Sequence, residues 1–241
     1  MPINRYYIDA PLSEGTILFL EDPERHHLVT VCRQKLGEKV EVTNGKQLWA
    51  EATILLIEKK RVQLRIDRVE KVPPAFPIIL CQAIPRLNRL EMILEKGSEL
   101  GMSEIWLFPG EKSEKTTFTA AQEARMHPIL LSAMKQCGRS DLPKIEHKPP
   151  LSQWRKESLP YPAFFGDLSP KAPLLIDRWG QASGCCFFVG PESGFSEKET
   201  LALQQLGAQG VKLHSYTLRT DTASLAALAL IHHLSLKNSS L

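Results

Sequence analysis

Two rhythms of apolar and polar positions divide the chain. Through about residue 70 the apolar positions fall in short runs or alternate with polar ones. GTILFL at 15–20 is a short apolar run, and EKVEVT at 38–43 alternates at period two, the spacing of a strand with one buried face. Asn44-Gly45 follows at once, a hairpin signal because both residue types tolerate positive φ. Residues 46–57 and 61–69 continue the strand pattern, with charge clusters between them. One helix is expected here, over residues 26–33, with Glu21, Asp22 and Pro23 supplying its N-terminal chemistry. Several short strands and one helix predict a small β-barrel.

The stretch KVPPAFP at 71–77 holds three prolines, which can extend neither a ladder nor a helix and stiffen a linker. It sets the expected boundary, with a first domain over 1–72 and a second over 73–241. Beyond it the rhythm changes. IILCQAI at 78–84 is a continuous apolar strand, followed by a helix carrying Leu87, Leu90, Ile93, Leu94 and Leu100 at helical spacing, with Gly101 placed to end it. Further strands are expected at 105–108, 144–146, 161–165, 184–189 and 211–213. Further helices are expected at 119–136, kinked at Pro128, at 197–206 and at 222–236. Apolar strands alternating with helices predict an α/β domain, its parallel sheet covered on both faces.

Three stretches carry candidate chemistry. Ser196-Glu197-Lys198-Glu199 is a capping box, so a helix starts directly after the loop Gly190-Pro191-Glu192-Ser193-Gly194. In an open parallel sheet, ligands bind beyond the carboxyl ends of strands, where this loop falls. Glycine and proline serve a plain tight turn equally well, and the loop alone leaves both readings open. Neither GxxxxGK[ST] nor an early GxGxxG occurs, which argues against nucleotide hydrolysis and nicotinamide binding.

In the second stretch, Thr220, Asp221 and Thr222 can all cap the last helix, and from Ala223 to Ile231 only Ser224 is polar. A helix so apolar is buried in a core or against a partner subunit. Arg219 just ahead of it would suit a carboxylate, a phosphate or a base edge, although these residues alone favour an ordinary surface arginine. The third stretch, Gln136-Cys137-Gly138-Arg139, ends the kinked helix and leaves Gln136 and Arg139 free to meet a ligand.

Composition narrows the field. With 43% hydrophobic and 24% charged residues the chain reads as globular, and no apolar run has membrane-spanning length. The start, Met1-Pro2-Ile3-Asn4-Arg5, lacks the apolar core of a secretion signal, so a cytoplasmic location is expected. The five cysteines form no CxxC pair and are expected as buried free thiols, and with the seven histidines they show no metal-ligand spacing. A net charge of +3 does not announce a polyanion partner, and solvated strand residues explain the Lys59-Lys60-Arg61 cluster without one.

Taken together and in order, these motifs resemble the SPOUT class of RNA methyltransferases. The resemblance spans nearly the whole chain. It runs through His26-His27-Leu28 and Arg33, then Glu95-Lys96-Gly97-Ser98-Glu99-Leu100-Gly101 and Gln136-Cys137-Gly138-Arg139. It continues through Gly190-Pro191-Glu192-Ser193-Gly194-Phe195 and Leu218-Arg219-Thr220-Asp221-Thr222-Ala223. The chain departs from the pattern at Leu213-His214-Ser215-Tyr216, where members have Leu-Gly-Pro-Arg. Ser193 replaces a glycine and Asp221 a glutamate.

The resemblance implies a PUA-like RNA-binding barrel before an α/β domain with a deep trefoil knot. It implies a homodimer that transfers a methyl group from S-adenosylmethionine to N3 of a uridine in small-subunit ribosomal RNA, free or assembled, with no membrane association. Leu168, Gly190, Pro191, Glu192, Ser193, Gly194, Leu213, His214, Leu218, Thr220 and Ala223 would hold the cofactor. Arg25, His26, Arg33, Lys96 and Gln136 would meet the RNA, and Arg219 and Arg139 would serve catalysis. No metal is implied. The alternative expectation is a non-catalytic RNA-binding or ribosome-assembly factor that keeps the fold.

Overall fold

The computed structural model describes residues 5–238; the stretch 1–4, on which the secretion-signal expectation rests, lies outside the described residues. Contacts divide the chain into two units, Met1–Pro74 with Leu131–Leu142, and Ala75–Leu130 with Pro143–Leu241.

The first unit is a mixed five-stranded sheet curled into a half-barrel. Its strands are β1 (Arg5–Tyr7), β2 (Ile17–Leu20), β3 (Lys39–Thr43), β4 (Leu48–Ile57) and β5 (Val62–Lys71), in the order β1-β3-β4-β5-β2. β1 runs parallel to β3, and the other pairs are antiparallel. The period-two pattern does what it predicts: Val40, Val42, Ala50, Ala52, Ile54, Leu64 and Ile66 are all buried on the inner face. Register shifts in the β4/β5 pairing add bulges, which increase local twist.

The Asn44-Gly45 signal does mark the β3–β4 connection, but as a longer turn. Asn44 Oδ1 accepts the Lys46 N–H at 3.0 Å, and Thr43 pairs with Trp49. The helix expected over 26–33 is a single turn, α1 (Glu24–His26), that widens into a π-turn at His27–Val31, with the Cys32 N–H reaching His27 O. Leu28 is fully buried there, closing the core.

The second unit holds an all-parallel six-stranded sheet. Its strands are β6 (Ile78–Ala83), β7 (Glu104–Phe108), β8 (Lys144–His147), β9 (Ala163–Gly166), β10 (Cys185–Val189) and β11 (Gln209–Val211), in the order β11-β9-β10-β6-β7-β8. The helices are α2 (Leu87–Glu99), α3 (Ala120–Cys137), α4 (Leu175–Arg178), α5 (Glu197–Gln205) and α6 (Thr220–Asn238). Every residue of β6 and β10 is buried, which is why both read as unbroken apolar runs.

On one face Phe108, Trp154 and Phe188 interlock, with the Trp154 and Phe188 ring centroids 5.5 Å apart. The other face carries α6, which packs on β6 and β10 and against α2. Among the described residues no helix is long and apolar enough to cross a membrane. Cys81, Cys185 and Cys186 are buried, but Cys32 is half-buried and Cys137 is exposed at the end of α3, so the expectation of burial fails for those two.

The last turns of α3 and the loop after it belong to the first unit. There Lys135 pairs with the buried Glu24, and Arg5 donates to the carbonyls of Gly138 and Arg139.

Candidate active site

The carboxyl ends of β9, β10 and β11, three neighbouring parallel strands, open into one cleft of about 500 Å³. Residues 165–168 at the end of β9 and beyond, 189–195 likewise from β10 and 211–218 from β11 line it, with Thr220 and Ala223 of α6. All eleven residues expected to hold a cofactor are in this lining. They sit together because parallel strands deliver their loops to the same edge of the sheet.

The 190–194 loop is shaped by its own backbone. A Cβ on Gly190 would stand 3.0 Å from Phe195 N and 3.2 Å from Gly194 C, so the loop's return path excludes any side chain there. Gly194 holds φ +70, and its N–H donates to Pro191 O at 2.8 Å. Gly166 and Gly194 differ from Gly190 in one respect: a Cβ on either would meet no protein atom within 4 Å. Both residues line the cleft, and neither has a neighbouring atom crowding its Cα.

A buried polar chain ties this loop to α6. The Thr220 hydroxyl donates to Gly190 O at 2.8 Å, and Gln82 Nε2 donates to Thr220 Oγ1 at 3.0 Å. The Ser224 hydroxyl in turn donates to Gln82 Oε1 at 2.6 Å. On the outer side Arg89 of α2 stands between Asp221, at 2.8 Å, and Glu192, at 3.3 Å. The Ser196 capping box starts α5 as the sequence predicts, and Glu199 also accepts the Glu111 N–H at 3.0 Å. A loop carrying two glycines is therefore fixed at both ends by side-chain bonds.

Sequence reasoning missed much of the cleft. Gly166 at the end of β9 and Asp167 just after it line it, as does Lys212. The signal for the first pair was the parallel strand itself, whose carboxyl end had to face the same way as that of β10.

A family model described as an RNA methyltransferase domain matches residues 72–232, and one described as an RNA methyltransferase PUA domain matches residues 20–67. The chain belongs to the RNA methyltransferase family. The ribosomal RNA small subunit methyltransferase E of Mycobacterium bovis is 26% identical over 94% of this chain and 90% of its own length. That of Bacillus subtilis is 23% identical over 96% of each. The crystal structure of the Neisseria gonorrhoeae enzyme of that name, bound to S-adenosyl methionine, superposes with a TM-score of 0.85 at 29% identity, covering 96% of this chain and 98% of that one. A Legionella pneumophila methyltransferase in complex with the same cofactor gives 0.87 at 26% identity, covering 97% and 98%.

In this RNA methyltransferase the remaining expected site residues fall outside the cleft lining. Arg25, His26, Arg33, Gln136 and Arg139 belong to the first unit, and Lys96 and Arg219 to the second. Arg25 Nε donates to Glu58 O at 3.0 Å, His26 and Gln136 are exposed, and Arg33 is exposed with φ +55. Lys96 sits between Glu95 and Glu99, at 2.8 and 2.9 Å, and hydrogen bonds to both push its ammonium pKa up. Arg139 is engaged by Asp141. Arg219 is exposed just ahead of α6, and its guanidinium makes no ion pair among the described residues.

Proposed function

We propose that this chain transfers a methyl group from S-adenosylmethionine to N3 of a uridine in small-subunit ribosomal RNA, as a cytoplasmic homodimer. The observation that carries the reading is the gathering of three strand-end loops around one open cleft, with bare main chain at Gly166 and Gly194. The cleft fits a nucleoside-bearing cofactor on three counts. Its volume lies in the range of small-molecule sites. Leu168, Leu213, Leu218 and Ala223 offer apolar wall, and exposed main chain offers polar groups for an adenosine and an amino-acid tail. His214 stands in the wall and leaves the space open. The names and bound cofactor of the relatives support the same reading.

Bound there, the cofactor supplies an electrophilic sulfonium methyl. What remains for the protein is to align donor and acceptor and to exclude water. The Gly190 loop and the 213–218 segment would hold the cofactor, kept in register by Thr220 and Gln82. Uridine N3 is a nucleophile only once its proton is lost, and a guanidinium beside the base favours the deprotonated form. Of the two candidate cations, Arg219 is assigned this role because it makes no ion pair among the described residues, whereas Arg139 is already paired with Asp141.

The half-barrel would supply phosphate contacts through Arg25, His26, Arg33 and Gln136, with Lys96 contributing from α2. A trefoil knot in the C-terminal part of the second unit belongs to the same reading. Dimerisation is supported by the exposed Met92, Leu230 and Leu236 on α2 and α6. The test is twofold: calorimetric titration with S-adenosylmethionine, and methylation of RNA from cells lacking this protein, with the modified base mapped by mass spectrometry. A folded protein that gives no binding heat would favour the non-catalytic RNA-binding reading instead.

A further inference from the structure

The 213–218 segment ends the cleft in an aromatic pair that its other contacts do not explain. Tyr216 lines the cleft yet is 77% exposed, so its ring stands at the mouth and not on the floor. Its position is held from the backbone side. The Tyr216 N–H donates to His214 Nδ1 at 3.1 Å, and the two rings lie 5.4 Å apart. Neither ring packs into a core, for both residues are exposed. A large apolar face held clear of the core is unfavourable in the free protein and is compensated when something flat covers it.

A ligand seated deep in the cleft is enclosed by the 165–168 and 190–194 loops, whereas a ring at the rim meets what arrives second. We propose that Tyr216 is the stacking platform for the target base of single-stranded RNA, holding an unstacked uracil at the cleft mouth with His214 as its support. This rests on the methyl-transfer reading of the cleft. An unstacked base loses its neighbours in the strand, and an aromatic face replaces them without demanding a particular sequence. Tyr216 is thus a substrate-binding residue that positions the acceptor, and the His214 contact fixes the ring's direction.

The experiment compares the full chain with Tyr216→Ala and Tyr216→Phe variants. A labelled short oligouridine is titrated by fluorescence anisotropy, and S-adenosylmethionine is titrated separately by calorimetry. The alanine variant is expected to lose roughly tenfold or more in oligouridine affinity. The phenylalanine variant is expected to recover it, because the ring and not the hydroxyl does the stacking. Cofactor affinity is expected to fall by clearly less than oligouridine affinity, because the ring stands at the mouth of the cleft. In proton spectra of the oligouridine, ring-current shifts of the uracil H5 and H6 signals are expected with the native chain and not with Tyr216→Ala.

Unchanged oligouridine affinity in Tyr216→Ala would overturn the proposal. So would an equal loss in Tyr216→Phe, or a fall in cofactor affinity as large as that for RNA, which would assign the ring to the adenine. Failure of the native chain to bind S-adenosylmethionine at all would count against the methyl-transfer reading, and is read in a separate titration.

Discussion

The hydroxyl of Thr220 donates to the carbonyl oxygen of Gly190 at 2.8 Å, joining the first turn of α6 to the loop after β10. Both groups lie at the cleft, and Thr220 is only 4% exposed. Thr220→Val keeps the shape and removes the donor, leaving Gly190 O and one Gln82 N–H without their partner. A cost of about 1–3 kcal/mol in unfolding free energy is expected by denaturant titration. Cofactor affinity is expected to fall with it, and Thr220→Ser is expected to restore both.

Arg89 holds two carboxylates from different segments, Glu192 in the cleft loop and Asp221 at the start of α6. Its side chain is 19% exposed, so removing it leaves two partly desolvated negative charges facing each other. Arg89→Met is expected to destabilise the protein by roughly 1–3 kcal/mol. The larger signature is expected in calorimetry, as weaker S-adenosylmethionine binding that high salt partly relieves.

Arg219 is proposed to act on the base and not on the cofactor. Arg219→Ala is therefore expected to keep S-adenosylmethionine affinity and to lose roughly 10²–10³-fold in turnover. The loss is expected to shrink as pH rises, because uridine N3 then deprotonates unaided. Full turnover in the variant would remove the proposed role.

Lys59, Lys60 and Arg33 make no ion pair among the described residues, whereas Arg61 is paired with Glu58 and Arg65 with Asp67. The first three are therefore proposed as the phosphate ligands of the half-barrel. Changing them together to glutamine is expected to weaken RNA binding, and to lower the slope of log affinity against log salt by about 0.7 for each lost contact to a single strand. Cofactor binding is expected to stay as it was.

The carboxyl of Asp67 is pushed up by burial, but the Thr53 hydroxyl and Arg65 together outweigh that and hold its pKa below the usual carboxylate value. A lowered folded-state pKa contributes stability above the unfolded-state value, and the contribution is lost as pH falls through the folded one. Thr53→Val is expected to raise the Asp67 pKa, read from its carboxyl signal by NMR. The stability gap between variant and native protein, measurable at pH 6, is expected to narrow on acidification below pH 4.

Elements with a strong period were legible from the chain alone. The alternation in β3, the unbroken runs of β6 and β10 and the capping box of α5 each mark one structure because few others bury the same residues. The resemblance, and not spacing, grouped the eleven residues expected to hold a cofactor, all of which line one cleft. What escaped was set by tertiary contact. β1 is three residues long and exists by pairing with β3. Trp154 enters the core from a short 3₁₀ turn that no periodicity announces. The helix expected at 26–33 gave way to one helical turn and a π-turn, in which Leu28 is fully buried.

Residues 131–142 have a practical bearing on any attempt to cut this molecule in two. A fragment severed at the proline-rich linker would carry Glu24 without Lys135, and Arg5 without two of the carbonyls it reaches for. Residues 1–72 on their own should consequently be poorly soluble or unfolded. An isolated RNA-binding module would have to be spliced, with the distant dozen residues grafted back in, and simple truncation would then be the wrong way to assay what the half-barrel recognises.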